Sequence, residues 1–318
     1  MATSAIGPGF ITQTANFTVQ LGAAVAFAIV IPIVVDIAVQ LNAWRIIGVS
    51  GLKAHELGNR VLPGLGWFIA ALVATGGLVL NIGNTAGGGL GLDALLALDP
   101  TWGGIITTLV GGTVGGYITY AGAHRIVDAG ITGVESVKQI SRSSVMSIVL
   151  TGVMRFLLFL AILGVVAGGA RRTGENLAAQ AFRSAAGEVG LRLFGVILWA
   201  ASISSVIGSA YTSVSFLTTS WTKPRTRNLR TVAFILVPAT VFALLGQAPS
   251  TLLVVAGAVN GLILPLGFAV LLWVAWRRRD LLGGCEHPTW LALIGTVVWL
   301  LTIFLGYQSL SGIAALWA

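Results

Sequence analysis

Side chains able to hold a small solute gather in two short stretches of an otherwise apolar sequence. The first follows Gly7-Pro8-Gly9 and contains Thr12, Gln13, Thr14, Asn16 and Thr18. The second, LVGGTVGGYITYAGAHR from Leu109 to Arg125, interleaves Thr113, Tyr117, Thr119 and Tyr120 with Gly111, Gly112, Gly115 and Gly116. Hydroxyls, amides and a phenol at such density suit hydrogen bonding to a small molecule. They do not suit covalent chemistry. One cysteine and three histidines assemble no nucleophile–base pair and no metal-ligand set, so an enzyme is not expected. Cys285-Glu286-His287 reads as an ordinary loop. A third stretch carries Ser202, Ser204, Ser205, Ser209, Thr212 and Ser213, a concentration of hydroxyls that either packs helices or ligates a cation.

The elements that must position these groups are membrane helices. Of 318 residues, 56% are hydrophobic and 9% charged, with a mean hydropathy of +0.94; soluble domains average about 25% charge. The chain reads as one polytopic all-α domain, 1–318, with membrane lipid as its surroundings and no cofactor. The net charge of +8 does not signal nucleic acid, because Lys and Arg lie in short clusters between apolar runs. With roughly 20 apolar residues per crossing, nine spans are expected near 4–20, 22–44, 63–90, 103–123, 144–168, 189–217, 231–247, 250–276 and 288–307. Alternate loops hold most of the basic residues, among them Arg45, Lys53, Arg60, Arg125, Lys138, Arg142, Lys223, Arg225, Arg227, Arg230 and Arg277 to Arg279. That pattern puts the N-terminus in the cytoplasm.

Both solute-holding stretches fall where glycine, and in the first case proline, breaks a span. A helix broken in hydrocarbon leaves backbone N–H and C=O groups unpaired, which is tolerated only inside protein or beside a polar cavity. The loop charges give the two broken spans opposite directions, as in transporters built from inverted repeats. Close helix packing is the alternative reading of both glycine clusters. Ionisable residues within spans are functional suspects: Asp36 and Arg155 pair, relay a proton or brace a neighbouring helix, and His124 with Arg125 stands where an inner gate or proton route would be. A channel is disfavoured, since no charged ring or repeated filter is present. The glycine run after Asn81, Asn84 and Thr85 lacks the strand and the Lys-Ser or Lys-Thr of a phosphate loop.

ATSAIGPGFITQTANFT resembles the first helix of the Nramp family of secondary transporters, LVGGTVGGYITYAGAHR its sixth, and SSVIGSAYTSVSF and VNGLILPLGF its eighth and tenth. The resemblance is to a bacterial subgroup and implies a LeuT-type inverted-repeat fold in the plasma membrane, with the first and sixth helices discontinuous and the substrate between them. The first repeat would lie in 1–100, the second in 101–280, and 288–307 would be an extra helix. It implies cation-coupled transport, by H+ or Na+, of a divalent metal ion or small solute. The substrate-binding candidates are Thr14, Asn16, Thr18, Gln13, Thr113, Gly115, Gly116, Tyr117 and Tyr120; Ser205, Ser209 and Thr212 are candidates for sodium, and Asp36, His124 and Arg155 for proton coupling.

Two departures qualify these expectations. Metal-transporting members carry Asp-Pro-Gly-Asn in the first helix and Met-Pro-His in the sixth. Ungapped matching from GPGF puts Thr18 and Leu21 at the Asp and Asn, and Gly115, Gly116 and Tyr117 at the Met, Pro and His. Without carboxylate or thioether a dehydrated divalent cation is poorly served, so a small organic acid or lactam such as 5-oxoproline is the alternative cargo. Secondly, LALDPTWGG leads almost directly from the third helix to the sixth, so a fourth and fifth helix are missing. A shortened form without transport activity is the further alternative.

Overall fold

The computed structural model describes residues 7–111, 119–168, 176–219, 222–245 and 249–315. Among them there is no strand. Five stretches are long and apolar enough to cross a membrane: Pro8–Ser50, Leu65–Leu96, Val134–Ala167, Leu177–Leu217 and Pro224–Leu245, with shorter apolar helices at Ile263–Arg277 and Thr289–Phe304.

The helices in chain order are α1 Pro8–Leu21, α2 Val25–Ser50, α3 Ala54–Val61, α4 Leu65–Leu96, α5 Pro100–Gly111, α6 Thr119–Asp128, α7 Val137–Ala167, α8 Leu177–Leu217, α9 Pro224–Leu245, α10 Pro249–Arg277 and α11 Thr289–Ala315. Each expected span has a helical counterpart among the described residues; that of 103–123 is described on either side of residues 112–118, as α5 and α6. Short α3 was not expected from hydropathy: its eight residues, AHELGNRV, are too polar and too few. The helix α7 begins seven residues before the expected span, because a helix continues past the hydrocarbon wherever its polar end meets water. Within α8 the backbone leaves helical geometry at Ala186 and Gly187, the latter at φ +59°, so an outer segment joins the spanning part at a kink.

Gly22, at φ +56° and ψ −132°, opens the one-turn 3-10 segment Gly22–Ala24 that joins α1 to α2. Only glycine adopts that conformation without strain. The pair is a hairpin. Thus α2 runs antiparallel to α7, with Gly48 against Ile140 and Ile33 against Gly152; a methyl added at either glycine would stand 2.6 Å from the isoleucine Cδ1. At its other end α1 meets the middle of α7, where the Arg155 guanidinium lies 4.5 Å from the Phe10 ring centroid.

The central pair is α4 and α8, antiparallel and joined at glycines. Gly77 abuts Ser213, Gly87 faces Ser202, Gly91 lies against the Trp199 backbone and Gly195 against that of Leu95. Small residues allow this close backbone approach, which in lipid replaces the hydrophobic drive available in water. A left-handed Ala97 (φ 56°) ends α4, and Asp99 starts α5 at once, its carboxylate accepting the Thr101 N–H at 2.9 Å with Pro100 at the first helical position. The largest apolar core gathers Trp44, Ile46, Ile47, Leu57, Phe216 and Phe268 toward one end of the bundle.

Candidate functional site

Fourteen residues make α1 about 21 Å long, short of the roughly 30 Å of hydrocarbon. Its N-terminus lies at mid-depth on three independent contacts. Gly7 faces Ser205 of α8, where an added methyl would stand 2.8 Å from Oγ and 3.8 Å from Asn84 Oδ1 of α4. The Pro8 ring sits on Gly87 of α4, leaving no room there for a side chain. Phe10 lies under Arg155 of α7. Proline at the first helical position has no N–H to lose, and the free N–H groups of the turn that follows carry the positive end of the helix dipole.

From the end at which α4 finishes, α5 descends to the same level. Its 12 residues span about 18 Å, and Thr107 and Thr108 near its end touch α4: Gly88 packs on Thr107, and Thr108 shares a 2.9 Å hydrogen bond with Thr85. The ten residues of α6, about 15 Å, resume beyond residues 112–118 and run to the α3 end. Helical residues thus lie on both sides of the glycine-rich stretch, whose residues 112–118 are outside the described ones. Thr113, Gly115, Gly116 and Tyr117 lie outside the described residues. Tyr120 and Thr119 lie in the first turn of α6.

Asn81, Asn84 and Thr85, named in the sequence only as the residues before a glycine run, form a polar layer on α4. Asn81 donates to the Phe234 carbonyl at 2.9 Å, Asn84 donates to Asn81 Oδ1 at 3.4 Å, and Thr85 donates to the Asn81 carbonyl at 2.8 Å. Asparagines 81 and 84 are buried among glycines, and no periodicity in such a run tells which neighbour they meet. Of the hydroxyls on α8, Ser205 alone of the three sodium candidates stands against α1. Ser209 donates to the Gly77 carbonyl on α4 at 2.8 Å, and Thr212 donates to Gly208 of its own helix.

Along α1 the candidates spread out instead of converging. Thr14 is buried; its hydroxyl donates to the Phe10 carbonyl at 2.7 Å and accepts from Arg155 Nε at 3.2 Å. Thr18 is fully buried and donates to the Thr14 carbonyl at 2.6 Å. It lies about 15 Å along α1 from Pro8, beside the Gly22 turn. The amide oxygen of Asn16 is buried with no partner among the described residues, whereas Gln13 is half-buried. Asp36 is exposed on the outer face of α2 and attracts Arg155 across the α2–α7 contact, without an ion pair within 4.0 Å.

At the α3 end a second polar cluster closes the bundle. Ser215 donates to the Thr212 carbonyl, so His124 must donate from Nδ1 to Ser215 Oγ at 2.9 Å and accept the Ala54 N–H at Nε2, 3.0 Å away. His124 is therefore neutral and fully engaged. Beside it His55 is buried against Trp67, Phe216 and His124, with both ring nitrogens unpartnered among the described residues. Burial lowers its pKa; Glu56 opposes the shift and Lys53 adds to it. Lys53 bridges to Asp128 at 3.0 Å, and Tyr211 donates to the same carboxylate at 2.6 Å. These contacts tie the α2–α3 connection to α6 and α8.

Known proteins resemble the chain along its length. Residues 105–312 match the family described as Natural resistance-associated macrophage protein-like, Nramp. The membrane protein YcsG of Bacillus subtilis (strain 168), described as uncharacterized, is 43% identical over 374 residues, covering 98% of this chain and 92% of its own. An uncharacterized membrane protein of Haemophilus influenzae is 42% identical over 372 residues, 97% of this chain and 92% of that one. Both alignments are longer than the 318 residues here, so part of each relative has no counterpart in this chain. In fold, a crystal structure of a point mutant of the Eremococcus coleocola manganese transporter superposes with a TM-score of 0.74 over 99% of this chain and 85% of that one, at 15% identity. The same transporter bound to an aromatic bis-isothiourea compound gives 0.73. An all-helical bundle of apolar helices with that fold, that sequence profile and those relatives places this chain in the Nramp family of multi-pass membrane transporters, not among enzymes.

Proposed function

We propose that this chain is a cation-coupled secondary transporter of the bacterial plasma membrane, with its substrate held at mid-depth where the start of α1, the end of α5 and the start of α6 meet. One observation carries the reading: α1 begins inside the bundle, with Gly7 and Pro8 pressed on Ser205 and Gly87. The basic residues Arg45, Lys53, Arg60 and Arg278 share one end, tied by the Arg278 hydrogen bond to the Arg60 carbonyl, and that end faces the cytoplasm.

Membership of the Nramp family supports a metal ion as cargo. The donor set supports a second reading. Matched on Pro8, the segment Gly7-Pro8-Gly9-Phe10 would set glycine and phenylalanine in the places of the carboxylate and the amide of the family's Asp-Pro-Gly-Asn. No group of three His, Cys, Asp or Glu that could hold a metal occurs among the described residues. A helix N-terminus, Ser205, Asn84 and the nearby cation of Arg155 favour a small hydrogen-bonding acid. In this reading Asp36 and Arg155 form the protonatable pair, and Ser205 is the hydroxyl placed for a coupling cation.

Proteoliposomes under an inward proton gradient separate the readings. Manganese entry, followed with a trapped fluorescent dye, supports the metal. Uptake of radiolabelled 5-oxoproline without manganese entry supports the organic acid. Neither signal, in vesicles shown to contain folded protein, refutes transport by this shortened chain.

A further inference from the structure

The ends of α10 and α11 enclose a groove of about 480 Å³ that no part of the transport reading uses. Its walls are Leu272, Trp273, Trp276, Thr296 and Trp299, and Arg277 stands at its mouth. Hydrogen bonds fix the indoles: Trp276 Nε1 donates to Thr296 Oγ1 at 3.2 Å and Trp299 Nε1 to the Pro265 carbonyl at 2.8 Å. The groove opens outward, since Trp273 is 53% and Trp276 37% exposed. Its depth in the membrane follows from its neighbours. Arg277 is the last residue of α10, Arg278 and Arg279 follow, and Trp290 is exposed in the first turn of α11. Tryptophan and arginine at a span end belong to the headgroup layer.

Charge then narrows the occupant. Arg278 is taken by Asp280, which it holds with three hydrogen bonds. Arg277 has no carboxylate partner among the described residues; its guanidinium lies 6.0 Å from the Trp273 ring centroid. An unneutralised cation over an aromatic, apolar slot that faces lipid complements an anionic headgroup joined to an acyl chain. We propose that this groove binds an anionic phospholipid, with its phosphate on Arg277 and a chain along Leu272 and the indoles.

The test uses the full chain in nanodiscs of phosphatidylcholine doped with brominated phosphatidylglycerol or brominated phosphatidylcholine, read by tryptophan quenching. Other tryptophans at the interface respond to both lipids, so the excess quenching by the glycerol lipid is the signal. Wild type should show it, and Trp273→Phe with Trp276→Phe should remove most of it. Arg277→Gln should cut the preference about fivefold, the equivalent of about 1 kcal/mol for one basic residue at a charged leaflet; Arg279→Gln should leave it intact. Equal quenching of wild type by the two lipids overturns the proposal. So does equal loss in Arg279→Gln, which would make the preference a property of general surface charge, or quenching by neither lipid, as a groove covered by a second copy would give.

Discussion

Replacing Gly87 by alanine adds one methyl group where the Pro8 ring sits, with Pro8 Cγ 2.5 Å from the new carbon. Pro8 Cβ is closer still, and carbon atoms pack at about 3.5–4.0 Å, so the start of α1 must move by more than about 1 Å or α4 must bend. Overpacking of this kind costs about 1–3 kcal/mol. The cost falls on the arrangement in which Pro8 rests on Gly87, and it displaces the balance between that arrangement and any other by about 5–150-fold. Gly87→Ala should therefore lose stability and slow transport together. Thermal unfolding and proteoliposome uptake measure the two effects. Pro8→Gly removes both clashing ring carbons, so the double variant should recover at least about 1 kcal/mol relative to Gly87→Ala in a double-mutant cycle. Gly164→Ala, on α7 with nothing within 4 Å of the added methyl, is the control and should be neutral or more stable by about 0.5–1 kcal/mol. The reasoning is refuted if Gly87→Ala behaves as wild type, or if Pro8→Gly gives no relief.

His124→Ala strands the buried Ala54 N–H and should destabilise the fold by about 1–3 kcal/mol in an unfolding titration; an unchanged midpoint would exclude the assigned hydrogen bonds. His287, in the loop before α11, donates from Nε2 to Asn42 Oδ1 at 2.8 Å, while its Nδ1 is buried without a partner among the described residues. Burial, with Arg45 adding, lowers its pKa to about 4. Because the unfolded chain then binds the proton more readily, stability is full above about pH 6.5 and falls by about 3 kcal/mol as pH drops toward 4. His287→Gln should remove that component from the pH dependence of the unfolding midpoint. Asp36→Asn should flatten the pH dependence of uptake; retention of the full profile would leave Asp36 a purely structural role.

The start of α1 at Gly7-Pro8-Gly9 was legible because proline is favoured at the first position of a helix. Composition placed the remaining spans, with helix ends differing by up to 12 residues, at the start of α8, where an outer segment precedes the kink at Gly187. For Thr18 the sequence offered only an ungapped match, whereas the contacts of Gly7 and Pro8 with α4 and α8 give the start of α1 a definite depth in the bundle. Asn84 and Thr85 were noticed in the sequence only as neighbours of a glycine run, and their partners were not legible there. On a helix that is apolar all round, the face that will line a site depends on neighbours far off in sequence. The engagement of Ser209 and Thr212 with carbonyls is likewise a matter of packing, invisible in their spacing.

The glycines that α4 presents to α1, α5 and α8 have a mechanical consequence. At Gly77, Gly87, Gly88 and Gly91 the neighbours rest on bare backbone instead of fitting between side chains. Interlocked helices shift by whole turns, whereas smooth ones slide by small amounts. Along this face α4 sets how far each neighbour stands away, while the hydrogen bonds from Ser209 to the Gly77 carbonyl and between Thr108 and Thr85 set where α8 and α5 stand along its length.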